Sequence, residues 1–175
     1  MGNLSAVATP LPFDPIDEAR RHWAERGWGD TSAAMAAVTS VMRVQQIYLQ
    51  RVDAALKPFG LSFARFELLT LLSFSRVGAL PLGKIGVRLQ VHAASVTNAV
   101  DRLEAEGLVA RVAHPDDGRI TLARITPKGR RVQAKAAEAL NGHVFGDIGL
   151  DGREVAELTS LLNAVRSRTG DFTLT

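Results

Sequence analysis

Along most of this chain, apolar residues return every three or four positions, the period of helices that bury one face. The first such segment, Ile16 to Arg26, carries Ile16, Ala19 and Trp23 on one side and is closed by Gly27. Ahead of it, Pro12 and Pro15 block helix formation, so residues 1–15 read as a flexible arm with Met1 to Leu11 disordered. Asp30, Thr31 and Ser32 offer caps for a long helix that reaches about Lys57 and is halted by Pro58 and Gly60. Met35, Val38, Val41, Met42, Gln45, Tyr48, Leu49, Val52 and Leu56 give that helix a broad apolar surface. Ser62 caps the next, Phe63 to about Ser73, where Phe63, Phe66, Leu68, Leu69, Leu71 and Leu72 cover so much of the circumference that central burial is expected.

Between Leu80 and Gly129 the pattern changes character. Leu82, Ile85 and Leu89 recur at helical spacing, with Gly86 where a closely crossing helix leaves no room for a side chain, and Gln90-Val91 makes a turn. From His92 to Glu106, Val96, Val100 and Leu103 share one face at i, i+4 and i+7, so Ser95, Asn98, Asp101 and Arg102 point outward, with Thr97 at the margin. After Gly107 the period becomes two: Leu108 to Ala113, the turn Pro115-Asp116-Asp117-Gly118, then Arg119 to Ile125, a hairpin. Thr126 and Pro127 form an N-cap and first-turn proline for another helix. Helix, turn, helix and basic hairpin in this order predict a winged helix-turn-helix, whose second helix is built to enter a major groove.

Beyond it, one helix runs from Pro127 to about Leu140 and breaks near Asn141-Gly142; another begins at Asp151, where Glu154 completes a capping box and Leu150 can pack against Val155. Leu158, Leu161, Leu162 and Val165 form a stripe on this last helix, either packed inside one protomer or, more economically, joining two. The expected fold class is therefore mainly α with a small β-wing. Residues 61–126 form the DNA-binding winged helix-turn-helix, and residues 16–60 and 127–175 a helical dimerisation region.

Charge sharpens this picture. From Arg76 to Arg131 ten Lys and Arg stand against five acids, whereas the whole chain of 175 residues is only +3, so the flanks are net acidic and the cations gather on the reading head. The hydrophobic fraction, 46%, suffices for one domain with a core. No apolar run long enough to span a bilayer occurs and the start lacks a signal-peptide pattern, so a cytoplasmic protein without membrane contact is expected. With no cysteine there are no disulfides, thiolate metal sites or thiol-based sensing. His22, His92, His114 and His143 are scattered without partners at ligand spacing, and no phosphate loop or nucleophile elbow exists, so neither a catalytic nor a metal site is expected; His92 reads as a cap for the recognition helix.

The run Leu80 to Val109, with its Val-Asp-Arg-Leu-Glu block leading into Gly-Leu-Val, the Asp-x-Arg wing at Asp117–Arg119 and the exit Ile125-Thr-Pro-Lys-Gly129, resembles the MarR family of winged-helix transcriptional regulators. The resemblance implies a homodimer that binds pseudo-palindromic double-stranded DNA, mostly as a repressor, and releases it when a small effector changes the spacing of the two heads. It places Ser95, Thr97, Asn98 and Arg102 on the recognition helix and Arg119 in an adjacent minor groove, oriented by Asp117. Asn98 suits an adenine edge and Thr97 a thymine methyl, while Lys84, Arg88 and Arg102 suit phosphates. Ala93, Asn98 and Gly118 depart from the arginine or polar residues that many relatives carry there, which implies fewer direct contacts. An architectural or nonspecific DNA-binding winged helix is the alternative reading, and it differs in sequence and salt dependence.

The extra N-terminal helix carrying Trp23 is similar to that of the urate-responsive subgroup, which uses a tryptophan, an aspartate and two arginines. Trp23 and Arg111 match, but Glu67 stands for the aspartate and Ala99 for one arginine, so urate is not expected. A cavity where the long helix, the Phe63 helix and the reading head meet is expected to be lined by Trp23, Met42, Gln45, Tyr48, Phe63, Phe66 and either Arg43 or Arg65. Such walls suit an aromatic acid or an acyl thioester as effector; no cofactor is expected.

Overall fold

The computed structural model describes residues 10–173. Nine residues of the expected disordered start therefore lie outside the described residues. Helix α1 spans Pro15–Trp23 and starts one residue earlier than the prolines suggest: Pro15 occupies its first turn, where a missing N–H costs nothing, and the Asp14 carboxylate accepts from the Ile16 N–H at 2.8 Å. A π-type turn, Ala24–Trp28, bends the chain at Gly27, whose φ of 86° strains any side chain. Helix α2, Gly29–Leu56, follows directly. The expected caps Thr31 and Ser32 thus lie inside its first turn. Their hydroxyls donate backward to the carbonyls of Trp28 (3.2 Å) and Gly29 (2.8 Å) instead of capping N–H groups.

Helix α3, Phe63–Phe74, is capped by Ser62 and buries Phe66, Leu68, Leu69 and Leu72, as its apolar circumference requires. Strand β1, Ala79–Pro81, leads into α4, Leu82–Leu89, and the turn at Gln90 places α5, Ala93–Ala105, across it. Strands β2, Val109–Ala113, and β3, Thr121–Ile125, make the wing hairpin. The sheet has three antiparallel strands in the order β1-β3-β2, one more than the alternating pattern reveals. Leu80 sits opposite Ala123, and the Gly78 carbonyl accepts from the Ile125 N–H at 2.9 Å. Helix α6, Pro127–Leu140, opens on the Thr126 cap and first-turn proline, and a π-type turn, Asn141–Phe145, ends it. Helix α7, Gly152–Arg168, carries the full Asp151/Glu154 capping box.

A single apolar cluster joins these elements. Leu56 from α2, Leu68, Leu69 and Leu72 from α3, Ile85 from α4, Val100 and Leu103 from α5 and Leu140 from α6 have lost essentially all contact with solvent. Each contributes roughly 1.5–3 kcal/mol by leaving water. The cluster runs across residues 60/61 and 126/127, so the reading head and the helices around it share one core.

Two surfaces stay outside that core. On α2, Val38 (58% exposed), Val41 and Met42 (60%) face solvent, and α7 buries no residue, leaving Leu161 (68%) and Val165 (61%) open. The last-helix stripe is thus divided: Leu158 and Leu162 line a cavity shared with Val41, Val44 and Tyr48 of α2, while Leu161 and Val165 are left open.

Close approach is most severe at Gly129 in the first turn of α6, where a β-carbon would stand 2.1 Å from the Leu108 carbonyl oxygen. Backbone cannot yield as a side chain can. Gly129→Ala is expected to lower stability by about 1–3 kcal/mol or more, read as a shift of the urea midpoint, whereas Gly142→Ala, with open space around it, is expected to change little.

Candidate nucleic-acid interface

The outward face of α5 exists because its other face is anchored: Val96, Val100 and Leu103 are buried, and Ser95, Thr97, Asn98 and Arg102 are left exposed. Gly86 lets α4 approach, since a β-carbon there would lie 3.2 Å from the Val91 carbonyl oxygen and 3.5 Å from Val96. The Thr97 hydroxyl donates to the Ala93 carbonyl (3.1 Å), so its methyl is the group left to meet a partner. Arg102 Nε donates to Asn98 Oδ1 (3.2 Å), leaving the Asn98 amide N–H groups free to donate. His92 occupies the N-cap position but its ring makes no capping bond, so its expected capping role is not realised. Beside this face runs a groove of about 310 Å³ shared with Ser62, Ala64 and Arg65 of the α3 start. None of those three is expected from sequence at this face: Ser62 reads as a helix cap and Arg65 as an alternative to Arg43 in the wall of the effector cavity, although a cap followed by a cation in the first turn is the available signal.

The wing tip is organised by its own backbone. Asp117 Oδ1 accepts from the Arg119 N–H (3.0 Å), and the Asp117 carbonyl accepts from the Ile120 N–H (3.0 Å). Asp117 thus orients Arg119 through the main chain, and the guanidinium projects from the tip without an ion-pair partner among the described residues. Lys84 and Arg88 are exposed on α4.

Several polar ties hold this surface in place. Arg111 of β2 binds the Glu104 carboxylate through both its backbone N–H and its guanidinium, and reaches Asp101 as well. These bonds, the backbone one foremost, hold the Glu104 carboxyl below its ordinary range. Arg65 pairs with Glu106 (2.8 Å) while Lys128 donates to the Glu106 carbonyl (2.7 Å), fixing the end of α5 to α3 and α6. In the turn, Gln90 takes a left-handed φ of 54° and its amide donates to the carbonyl and carboxylate of Asp171, which Arg166 of α7 also holds at 2.7 Å.

The expected effector set is not one cavity. Gln45, Tyr48 and Phe63 do meet, around a cavity of about 450 Å³ whose far wall is Val144, Phe145 and Ile148 of the α6–α7 connection, not the reading head. Met42 borders a different groove with Phe13, Ile16 and Arg43. Trp23 packs on Trp28 (ring centroids 4.6 Å apart) and donates to Thr31 (3.2 Å), 17 residues before Tyr48, or roughly 25 Å along α2. Phe66 is core, and Glu67 of α3 is half-buried with its pKa raised by that burial. Arg111 is committed to Glu104 and Asp101, and Arg65 to Glu106, so neither is available to the cavity.

Among solved structures, Sco5413 of Streptomyces coelicolor, a MarR family transcriptional regulator, is 51% identical over 80% of this chain and 97% of its own, with a TM-score of 0.73. The chain belongs to the MarR family. The MarR family model matches residues 61–121, the segment that holds the recognition helix and most of the wing. The transcriptional repressor Rv2887 of Mycobacterium tuberculosis is 33% identical across 67% of this chain and 78% of its own length. Sco3205 of S. coelicolor, a MarR protein solved in complex with DNA, shares the fold at 22% identity (TM-score 0.67; 75% of this chain, 84% of that one). The chain spans about half the length of the first curated relatives it matches. MarR proteins are transcriptional regulators and not enzymes. Among the described residues no helix is long and apolar enough to cross a membrane.

The Glu104 clamp has a pH signature. Because its carboxyl is depressed in the fold, its stabilisation is complete above about pH 4.5 and is lost as pH falls through the lower folded value. Glu104→Gln should therefore be less stable than the parent at pH 7, with the gap closing toward pH 3, as followed by urea unfolding across that range.

Proposed function

We propose that this protein is a homodimeric, ligand-responsive MarR repressor that binds a pseudo-palindromic operator. The observation that carries this reading is the α5 face: Ser95, Asn98 and Arg102 stand exposed in one row with Thr97 exposed at its margin, backed by a buried apolar row and accompanied by the exposed Arg119 of the wing. Two such faces about one helical turn of DNA apart, roughly 34 Å, match successive major grooves. The exposed apolar residues of α2 and α7 supply the surface that a second copy would cover. Asn98 presents amide donors suited to a base acceptor, the Thr97 methyl suits a thymine, and Arg119 suits a narrow A·T-rich minor groove. Lys84, Arg88 and Arg102 supply phosphate contacts that set register, with Arg65 and Ser62 of the adjoining groove beside them. The effector site of this reading is the cavity bordered by Gln45, Tyr48 and Phe63, at the joint between α2, α3 and the approach to α7.

Selection of bound fragments from genomic DNA yields the operator, and binding to it is then compared with random duplex over a salt series. A regulator holds its operator by some 10³-fold or more over random sequence; equal affinity for both would instead mark an architectural protein. Arg119→Ala is expected to weaken operator binding, and an unchanged affinity would remove the wing from the mechanism. Asn98→Ala should lose about 1–3 kcal/mol of discrimination at a single base step, whereas a uniform loss over all sequences would make Asn98 a positioning contact.

A further inference from the structure

Resting on the DNA-reading role proposed for α5, we propose that Asp171, which lies outside the winged helix-turn-helix, is a positioning residue for operator recognition: it latches the Gln90 turn, and with it the start of α5, to the end of α7. The need for a latch arises at the turn. His92 occupies the N-cap position of α5 without a side-chain capping bond, and Gln90 is the one non-glycine residue with a positive φ, 54°, among the described residues. A side chain in that conformation is strained and stays there only where its surroundings hold it. The backbone ties at this point are the Gln90 and Val91 N–H groups, which share the Gly86 carbonyl. The side-chain tie comes from 81 residues away.

Gln90 Nε2 donates to the Asp171 carbonyl (3.1 Å) and to Asp171 Oδ1 (2.8 Å), while Arg166 Nε donates to Oδ2 (2.7 Å) and its guanidinium lies 5.0 Å over the Phe172 ring. Gly170, at φ 81°, reverses the chain after α7 and brings the Asp171 N–H back to the Arg166 carbonyl (3.0 Å). Both carboxylate oxygens and the carbonyl of one residue are thus spent on a single junction. Helix α7 gains little from that acid on its own account, because a negative charge beside a helix C-terminus opposes the helix dipole. Nor does apolar packing explain the contact, since α7 buries no residue. What the arrangement secures is Gln90: Asp171 fixes the amide, and Arg166 fixes Asp171. At its far end α5 is held by Arg111, Arg65 and Lys128, so without Asp171 the helix is tied at its finish and loose at its start. Ser95 and Asn98 stand in the first two turns, nearest to the latch. Asp171 therefore acts through Gln90 and not by touching DNA.

The test measures binding of the full chain to the operator selected from genomic fragments and to random duplex, at one salt concentration, for the parent, Asp171→Ala, Gln90→Asn and the double variant. Asparagine tolerates a left-handed φ but is one methylene short of Asp171, and both positions are exposed, so the fold is retained. Each single variant should lower the operator-to-random affinity ratio about 10-fold, and the double variant no further than either single, the mark of one shared contact. Molecular mass in solution and the urea midpoint should stay those of the parent. Losing the Asp171 charge strengthens binding to every duplex alike, so the ratio carries the result, and Gln90→Asn changes no charge. A ratio unchanged in either single variant, losses that add in the double variant, or a loss that tracks a change of mass or midpoint would each overturn the inference. The reading beneath it fails separately. A parent with no preference for the selected fragments ends the DNA-reading role of α5 and this inference with it, whereas a discriminating parent matched by Asp171→Ala ends the latch alone.

Discussion

Burial of one face of α5 is the constraint on which the rest of this molecule depends. Val96, Val100 and Leu103 are sealed against Ile85 and the leucines of α3, and that seal decides which side chains are left to face outward. Apolar packing alone permits a helix to roll slightly in its groove. The polar ties remove that freedom at both ends: Gln90 and Gly86 set the turn at the start, while Arg111, Arg65 and Lys128 hold the carboxylates and the last carbonyl at the finish. A surface meant to read base edges must be held within fractions of an ångström, and it is a packed core with a charged collar that supplies such precision.

Much of this was legible in the chain because it rests on local chemistry. The Asp151/Glu154 box, the Thr126-Pro127 start and the four-residue spacing of Val96 and Val100 on α5 each act over about a single turn, and the structure realises all of them. What escaped depends on chain segments distant in sequence. Strand β1 is three residues long, too short to show alternation, and exists only because β3 offers it a ladder. Thr31 and Ser32 look like caps, yet Gly27 can adopt a conformation that lets the helix begin earlier and draws both hydroxyls back onto carbonyls. Aromatic and amide residues at helical spacing suggested one pocket, but spacing does not reveal how far apart along a 28-residue rod two residues lie, nor that Val144 to Ile148 would form the opposite wall.

Arg111 illustrates the same limit at the level of one side chain. Its position resembles that of a ligand arginine, and its type is right, but Glu104 and Asp101 wait one helix away and claim it. A cation with two acids in reach is a structural brace before it is anything else. The same logic applies to Arg51, whose guanidinium is spent on carbonyls of the α6–α7 connection. The cavity beside Tyr48 is therefore lined without a charged side chain, its cationic neighbours being committed elsewhere.

The contact at Gly129 reaches beyond stability. With the α6 backbone pressed against the Leu108 carbonyl and the Thr126 hydroxyl donating to the Gly107 carbonyl, the hairpin base and the following helix are seamed together without slack. The hairpin base and α6 therefore meet as one rigid corner, and the direction in which the wing leaves the core is fixed by the helix that follows it.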